Sequence, residues 1–203
     1  RLFELAGLPA GVLQVLPGDG AVGAVMTSDA HVAAIQFTGS TAAGRKVGEA
    51  CGKHLKKVSL ELGGKNALLV LDDADLDLAV NNAAWGSFLH QGQICMATGR
   101  ILVQRALYPA FVEKLVAKVK TIGVGDPWAE PGVLVGPLIT AAQRDNCERI
   151  VQAAVAAGAR LLSGGSHQGL GVHARGDVQA VERSCEDLGG GVSRAGAQGN
   201  QRA

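Results

Sequence analysis

The chain has 203 residues, of which 47% are hydrophobic and 18% are charged, a composition typical of a folded globular protein rather than a disordered chain or a coiled coil. Its formal net charge is +1, which excludes the basic field that nucleic acid or an anionic membrane surface would need. No stretch approaches the roughly 20 apolar residues that span a bilayer. The sequence opens at Arg1-Leu2-Phe3 rather than at methionine, so we expect a fragment of a longer protein.

Helices and strands are predicted to alternate along the first third of the chain. An apolar run at 12–16 predicts a buried strand because Pro17-Gly18 ends it sharply. Ser40 or Thr41 is placed to cap the helix that follows a strand. In chain order we predict the end of a helix at 2–6, a strand at 12–16, a helix at 20–29, a strand at 32–37, a helix to about 53, and strands at 58–62 and 67–71.

The alternation continues to about residue 162. Asp72, Asp73 and Asp75 suit a helix N-terminus, and apolar residues at three- and four-residue spacing give that helix one buried face. The face comprises Leu76, Ala79, Val80, Ala83, Ala84 and Phe88. There follow a strand at 101–104, a helix from Pro109, a loop from Gly123 to Pro137, a helix from Thr140 to Gly158 and the start of a strand at 161–162. This order predicts an α/β fold with parallel pairing.

The last segment, 169–203, has a different composition. It holds eight glycines and no aromatic residue, and it shows neither a strand nor a helix period. A disordered tail would have this composition. A reading-frame error, which would replace the natural continuation of the fold, would also produce it, and the sequence leaves both alternatives open.

Four cysteines, at 51, 95, 147 and 185, are far apart, and none forms a C-x-x-C pair. This spacing argues against a disulfide framework and a metal site, and it favours a reducing, cytoplasmic compartment. Cys95 differs from the others because it follows an amphipathic helix in a loop beside glycine, where a thiol is more available to react. An isolated cysteine is nevertheless more often inert. Glu61 stands in an apolar strand, either as an edge residue facing water or as a buried base.

Two glycine motifs are weak on their own. The run Gly18-Asp19-Gly20-Ala21-Val22-Gly23 spells G-x-G-x-x-G, but no acidic residue stands about 20 positions later, as a Rossmann fingerprint requires. Gly39-Ser40 begins a helix after a strand. That helix N-terminus is either an ordinary capped end or a phosphate-binding end.

Together, three segments resemble the aldehyde dehydrogenase superfamily over residues 1 to about 168. They are Phe37-Thr38-Gly39-Ser40, Leu60-Glu61-Leu62-Gly63-Gly64-Lys65-Asn66 and Gly92-Gln93-Ile94-Cys95. The family places its general base in E-L-G-G and its nucleophile in G-Q-x-C, 34 residues later, as between Glu61 and Cys95 here. The segment 87–100 looks most like the NAD-dependent benzaldehyde dehydrogenase group.

The resemblance implies the site residues. Cys95 would be the nucleophile, with its own backbone N–H helping to hold the oxyanion, and Glu61 would activate the water that hydrolyses the thioester. The resemblance implies NAD as the cofactor, with NADP left open, and it implies that Gly39 and Ser40 face the cofactor pyrophosphate. Four further positions are implied at the cofactor. Gly20 and Gly23 would let a neighbouring helix approach, and Phe37 and Leu62 would lie near the cofactor.

The resemblance also implies the domain organisation. Residues 1–62 would be the C-terminal part of a Rossmann-like NAD-binding domain, 63–168 the N-terminal part of the catalytic domain, and 169–203 an atypical tail. The complete protein would oxidise an aldehyde, act on a small molecule and form a homo-oligomer. Other family elements, including an oxyanion-hole Asn and a ribose-binding Glu, are expected outside this chain. The alternative is a non-catalytic remnant that binds a nucleotide or a partner weakly.

Overall fold

The chain divides between Glu61 and Leu62 in the computed structural model, which describes residues 1–165 throughout and, beyond them, only the backbone at 174–175 and 180–182. The first unit comprises 1–61 and the second 62–203. Whether these units correspond to a cofactor-binding and a catalytic domain stays a prediction. The alternatives for the tail at 169–203 lie outside the described residues, apart from those two short strands.

The first unit is built on a strand pair and two capped helices. Its elements are α1 (Leu2–Leu5), α2 (Gly20–Ser28), β1 (Ala34–Gly39), α3 (Thr41–Lys53) and all but the last residue of β2 (Lys57–Leu62), and β1 pairs with β2. The Asp19 carboxylate caps α2 by accepting the Ala21 N–H at 2.9 Å. Ser40, rather than Thr41, caps α3, and its hydroxyl accepts the Ala43 N–H at 3.1 Å. Side-chain caps therefore set where both helices begin.

The strand predicted at 12–16 is wrong. The segment forms no strand, and the side chains of Val12, Leu13, Val15 and Leu16 are 54% to 83% exposed. A strand needs a neighbour to complete its backbone hydrogen bonds, and no described strand pairs with this segment. The apolar run therefore identified residues that need a covering surface but did not identify their conformation.

The second unit confirms the α/β class, whereas the predicted parallel pairing holds for only one of its three described strand pairs. Its elements are β3 (Asn66–Val70), α4 (Leu76–Phe88), a 3-10 helix (Leu89–Gly92), β4 (Thr98–Val103), α5 (Tyr108–Lys120), β5 (Pro137–Leu138), α6 (Ala141–Ala156), β6 (Arg160–Ser163), β7 (Ala174–Arg175) and β8 (Ala180–Glu182). Strands β3 and β4 are parallel. The pairs β5–β7 and β6–β8 are antiparallel.

Helix caps in this unit follow the sequence closely. The Asp75 carboxylate caps α4 by accepting the Leu78 N–H at 2.9 Å, and the Thr140 hydroxyl caps α6 by accepting the Gln143 N–H at 3.2 Å. Strand β4 begins at Thr98, three residues before the predicted start. None of the helices in the described part of the chain combines the length and the apolar character needed to cross a membrane.

Helices α4 and α5 and strands β3 and β4 enclose a hydrophobic core. It is formed by Val70, Val80, Ala83, Ile101 and Phe111, and the ring of Phe111 is only 2% exposed. Burial of such side chains is the main favourable contribution to folding. The core therefore fixes α4 against the strand pair, and with it the start of the segment that leads to Cys95.

We predict that Phe111→Ala lowers the free energy of unfolding by about 3–5 kcal/mol, because it removes buried apolar surface and leaves a cavity. Trp128→Ala is the matched control. Trp128 is 97% exposed, so its loss should change stability by less than about 0.5 kcal/mol. Urea unfolding of the two variants and the parent measures both effects. Equal losses in the two variants would contradict the assignment of the core.

Candidate active site

Parallel pairing of β3 and β4 brings two loops to the same edge of the sheet. Both strands begin at that edge, so the Gly63-Gly64-Lys65 segment before β3 lies beside the turn that precedes β4. The register pairs Asn66 with Thr98 and Ala67 with Arg100, so Gly99 is an extra residue on β4. Such a bulge twists a strand and redirects the side chains beside it.

Cys95 lies in an exposed turn immediately before β4. The Ala97 N–H donates to the Ile94 carbonyl at 3.0 Å and closes this turn. The side-chain amide of Asn66 donates to the Cys95 carbonyl at 2.8 Å and to the Ala97 carbonyl at 3.0 Å. The Cys95 N–H makes no hydrogen bond to a described residue. The turn thus presents a thiol and an open backbone donor from one residue.

The backbone just before this turn is strained. His90 (φ 49°) and Gln91 (φ 59°) both adopt the left-handed conformation, followed by Gly92 at φ 70°. Consecutive non-glycine residues in this region are costly and occur mainly at functional sites. The Gln91 amide donates to the His90 carbonyl and accepts the Gly136 N–H, each at 2.8 Å, which stabilises the kink.

An open cleft of about 640 Å³ borders this kink. Its walls are formed by His90, Gln91, Gln93, Ile94, Pro137 and Ile139. The cleft therefore lies along the backbone that leads directly to Cys95, where a small substrate could approach the thiol.

Glu61 and Leu62 end β2. Glu61 is exposed, as a carboxylate facing water at a strand edge would be, and the buried alternative does not hold in this structure. Leu62 is half-buried. Glu61 is the last residue of the first unit, whereas Cys95 belongs to the second. The pairing of Glu61 with Cys95 and the role of Leu62 stay predictions.

Phe37, Gly39 and Ser40 are brought together where β1 meets α3. Phe37 is half-buried, and a Cβ placed on Gly39 would lie 2.5 Å from the Phe37 ring, so a larger residue at position 39 would require that ring to move. The N–H groups of Thr41 and Ala42 are in the exposed first turn of α3 and donate to no described residue. Open donors at the positive end of a helix suit a phosphate group.

The helix approach expected at Gly20 and Gly23 is not seen. Both lie in α2, and apart from that helix's own backbone and the adjacent residues, no described atom lies within 4 Å of a Cβ placed at either position. The nearby contacts therefore do not require glycine there. Their part in binding a cofactor stays a prediction.

Asn66 is the site residue that the sequence analysis did not single out. It stands in the quoted Gly63-Gly64-Lys65-Asn66 run, but no pattern assigned it a task. Its only local signal is a primary amide at the start of an apolar strand. Its contacts depend on the register of two strands that begin 32 residues apart, which the sequence does not state.

Comparison with known proteins supports the family resemblance over nearly the same residues. The sequence profile described as Aldehyde dehydrogenase family matches residues 1–177. Vanillin dehydrogenase of Amycolatopsis sp. is 56% identical over 170 residues, which are 84% of this chain and 35% of that protein. Benzaldehyde dehydrogenase [NAD(+)] of Pseudomonas putida is 51% identical over 168 residues, covering 83% of this chain and 34% of that protein. The chain spans about a third of the length of these relatives.

Solved structures show the same fold. Succinate-semialdehyde dehydrogenase from Burkholderia pseudomallei superposes with a TM-score of 0.83 at 40% identity, covering 89% of this chain and 37% of that one. An NAD+ complex of aldehyde dehydrogenase from Bacillus cereus gives a TM-score of 0.83 at 31% identity, covering 89% and 36%.

We predict that Cys95 reacts with iodoacetamide ahead of the other two described cysteines. Cys95 is exposed, and Cys51 is fully buried. Burial raises the pKa of the Cys147 thiol, so less of it is the reactive thiolate at neutral pH and its labelling should increase as the pH rises. Peptide mapping by mass spectrometry between pH 7 and 9 tests this order. Faster labelling of Cys51 or Cys147 at pH 7 would refute it; Cys185 lies outside the described residues.

Proposed function

Because the chain belongs to the aldehyde dehydrogenase family, we propose that the protein containing it oxidises an aromatic aldehyde to the carboxylic acid, with NAD as hydride acceptor. The observation that carries the proposal is the exposure of Cys95 in the turn before β4, because the family resemblance implies this residue as the nucleophile. The aromatic substrate class rests on the similarity to relatives named vanillin and benzaldehyde dehydrogenase.

Cys95 begins the reaction as a thiolate. Its sulfur forms a bond to the aldehyde carbon, and the carbonyl electron pair moves to oxygen, which becomes an oxyanion. The open N–H of Cys95 is a suitable donor for that oxyanion because it makes no hydrogen bond to a described residue. The cleft bordered by His90 and Ile94 lies along the backbone that leads to Cys95, which supports the approach of an aldehyde from this side.

The end of β1 and the first turn of α3 fit a dinucleotide cofactor. The exposed N–H groups of Thr41 and Ala42 suit a pyrophosphate, and Gly39 keeps the chain close to Phe37. When bound, NAD supplies an acceptor for the hydride that leaves the former aldehyde carbon with its electron pair. NADP is the alternative cofactor, because the solved relatives include an NAD+ complex and an E. coli enzyme described as NADP dependent.

Glu61 completes the proposed cycle. After hydride loss the acyl group remains on Cys95 as a thioester. Water adds to the thioester carbon and gives up a proton to the Glu61 carboxylate, and the carboxylic acid leaves as the thiolate is restored. An exposed carboxylate is accessible to solvent water, which supports this role.

We predict that the protein forms NADH from benzaldehyde or vanillin and that Cys95→Ser lowers the turnover by at least roughly a thousandfold, because a hydroxyl is a far weaker nucleophile than a thiolate. Cys147→Ser is the control and should keep near-parental turnover, since Cys147 lies in α6. NADH absorbance measures both variants. Binding of NAD without turnover of any aldehyde by the parent protein would favour the non-catalytic alternative.

We also predict that Glu61→Gln accumulates an acyl group on Cys95. The glutamine keeps the shape of the side chain but cannot accept a proton from water, so acylation continues and hydrolysis slows. Acid quenching followed by peptide mass spectrometry detects the thioester. Glu49→Gln changes another exposed carboxylate of the first unit and should show no accumulation. Loss of NAD binding in Glu61→Gln, with no acyl-enzyme, would assign Glu61 a structural role instead.

A further inference from the structure

Asn66 contacts the nucleophile turn from the neighbouring strand. One amide nitrogen carries two hydrogens, and here it bridges the carbonyl oxygens of Cys95 (2.8 Å) and Ala97 (3.0 Å). Both distances are those of ordinary hydrogen bonds. Because both partners are acceptors, only the NH2 end of the amide can face them.

Together with a hydrogen bond inside the turn, the two Asn66 hydrogen bonds hold the backbone on both sides of Cys95. The Ile94 carbonyl is held by the Ala97 N–H at 3.0 Å, and it shares a planar trans peptide with the Cys95 N–H, so the two point in opposite directions. Asn66 holds the next peptide through the Cys95 carbonyl. The direction of the open Cys95 N–H is therefore set from both sides.

The support of Asn66 is itself fixed. The Arg100 guanidinium donates through Nε to the Lys65 carbonyl at 3.0 Å, which anchors the peptide that leads into Asn66. The bulge at Gly99 lies between the two contacts. Residues on β4 thus hold the backbone at Asn66, while Asn66 holds the turn that leads into β4.

We propose that Asn66 is a positioning residue for Cys95, and that its two hydrogen bonds aim the Cys95 N–H at the oxyanion formed when the thiolate attacks a carbonyl. The proposal rests on the proposed function, because it assigns the N–H of the proposed nucleophile. Asn66 itself is exposed, so its hydrogen bonds compete with water and add only modestly to folding stability. Its main effect is on the geometry of catalysis.

Two reagents separate positioning from a general loss of structure. In alkylation by iodoacetamide, the thiolate displaces iodide from carbon and no oxyanion forms. With p-nitrophenyl acetate, sulfur bonds to the carbonyl carbon, an oxyanion forms, and its collapse expels p-nitrophenolate. The ratio of acylation rate to alkylation rate is independent of the thiolate fraction, because that fraction enters both rates. The ratio therefore reports oxyanion stabilisation at Cys95.

The test compares Asn66→Leu with Gln104→Met in the protein that carries this chain. Each variant replaces an amide by an apolar side chain of similar shape. Gln104 follows the opposite end of β4, and its side-chain amide donates to the Asp72 carboxylate at 3.2 Å. Its loss removes a comparable amide hydrogen bond at a place remote from Cys95. Asn66→Asp is a second variant that keeps the shape of Asn66 but has no donor when ionised.

We expect both Asn66 variants to lower the acylation-to-alkylation ratio by about 10- to 100-fold, as a small misplacement of a catalytic group does. The kcat for benzaldehyde should fall similarly with KM little changed, and Gln104→Met should match the parent. An unchanged ratio in a folded Asn66 variant would overturn the proposal. If the parent oxidises no aldehyde while the ratio still falls in the Asn66 variants, the proposed function fails and the positioning role stands.

Discussion

The parallel pairing of β3 with β4 is the constraint on which the site depends. Parallel strands begin at the same edge of a sheet, so the glycine-rich segment before β3 and the cysteine turn before β4 meet there although 29 residues separate Asn66 from Cys95. Without that pairing the Asn66 amide could not reach the Cys95 carbonyl. One long-range contact between backbones therefore determines the geometry of the proposed nucleophile.

Packing in the second unit also positions the Cys95 turn, through the helix that precedes it. Helix α4 is held against β3 and β4 by the core around Phe111 and Val80, and its last residues lead directly into the left-handed kink at His90 and Gln91. The Gln91 amide contacts the backbone N–H of Gly136, which supports the kink from a distant loop. The cost of the strained backbone is thus offset by contacts that converge just before Cys95.

The sequence predicted most elements because their signals are local. Ser40, Asp75 and Thr140 are caps whose side chains bond within their own first turn, so short-range chemistry identified the helix starts. The strand prediction at 12–16 was wrong because its signal is not local: a strand depends on a partner strand that an apolar run does not specify.

The same distinction explains what was predicted of the site. Cys95 and Glu61 were predicted from family motifs that hold them at a fixed spacing, and their roles stay predictions, although the open turn around Cys95 agrees with its proposed role. The contacts of Asn66 depend on a register shift between strands. His90 and Gln91 adopt the left-handed conformation although neither residue type requires it. Neither feature leaves a pattern in the sequence.

In the proposed reaction, Cys95 carries the acyl group during oxidation of an aldehyde. The most direct measurement is a rapid-quench first turnover with NAD and benzaldehyde deuterated at the carbonyl carbon. We predict deuterated NADH in a burst equal to the number of chains, together with a benzoyl group on the peptide that contains Cys95. A benzoyl group on another residue, or deuterium released to water instead of to the nicotinamide, would contradict it.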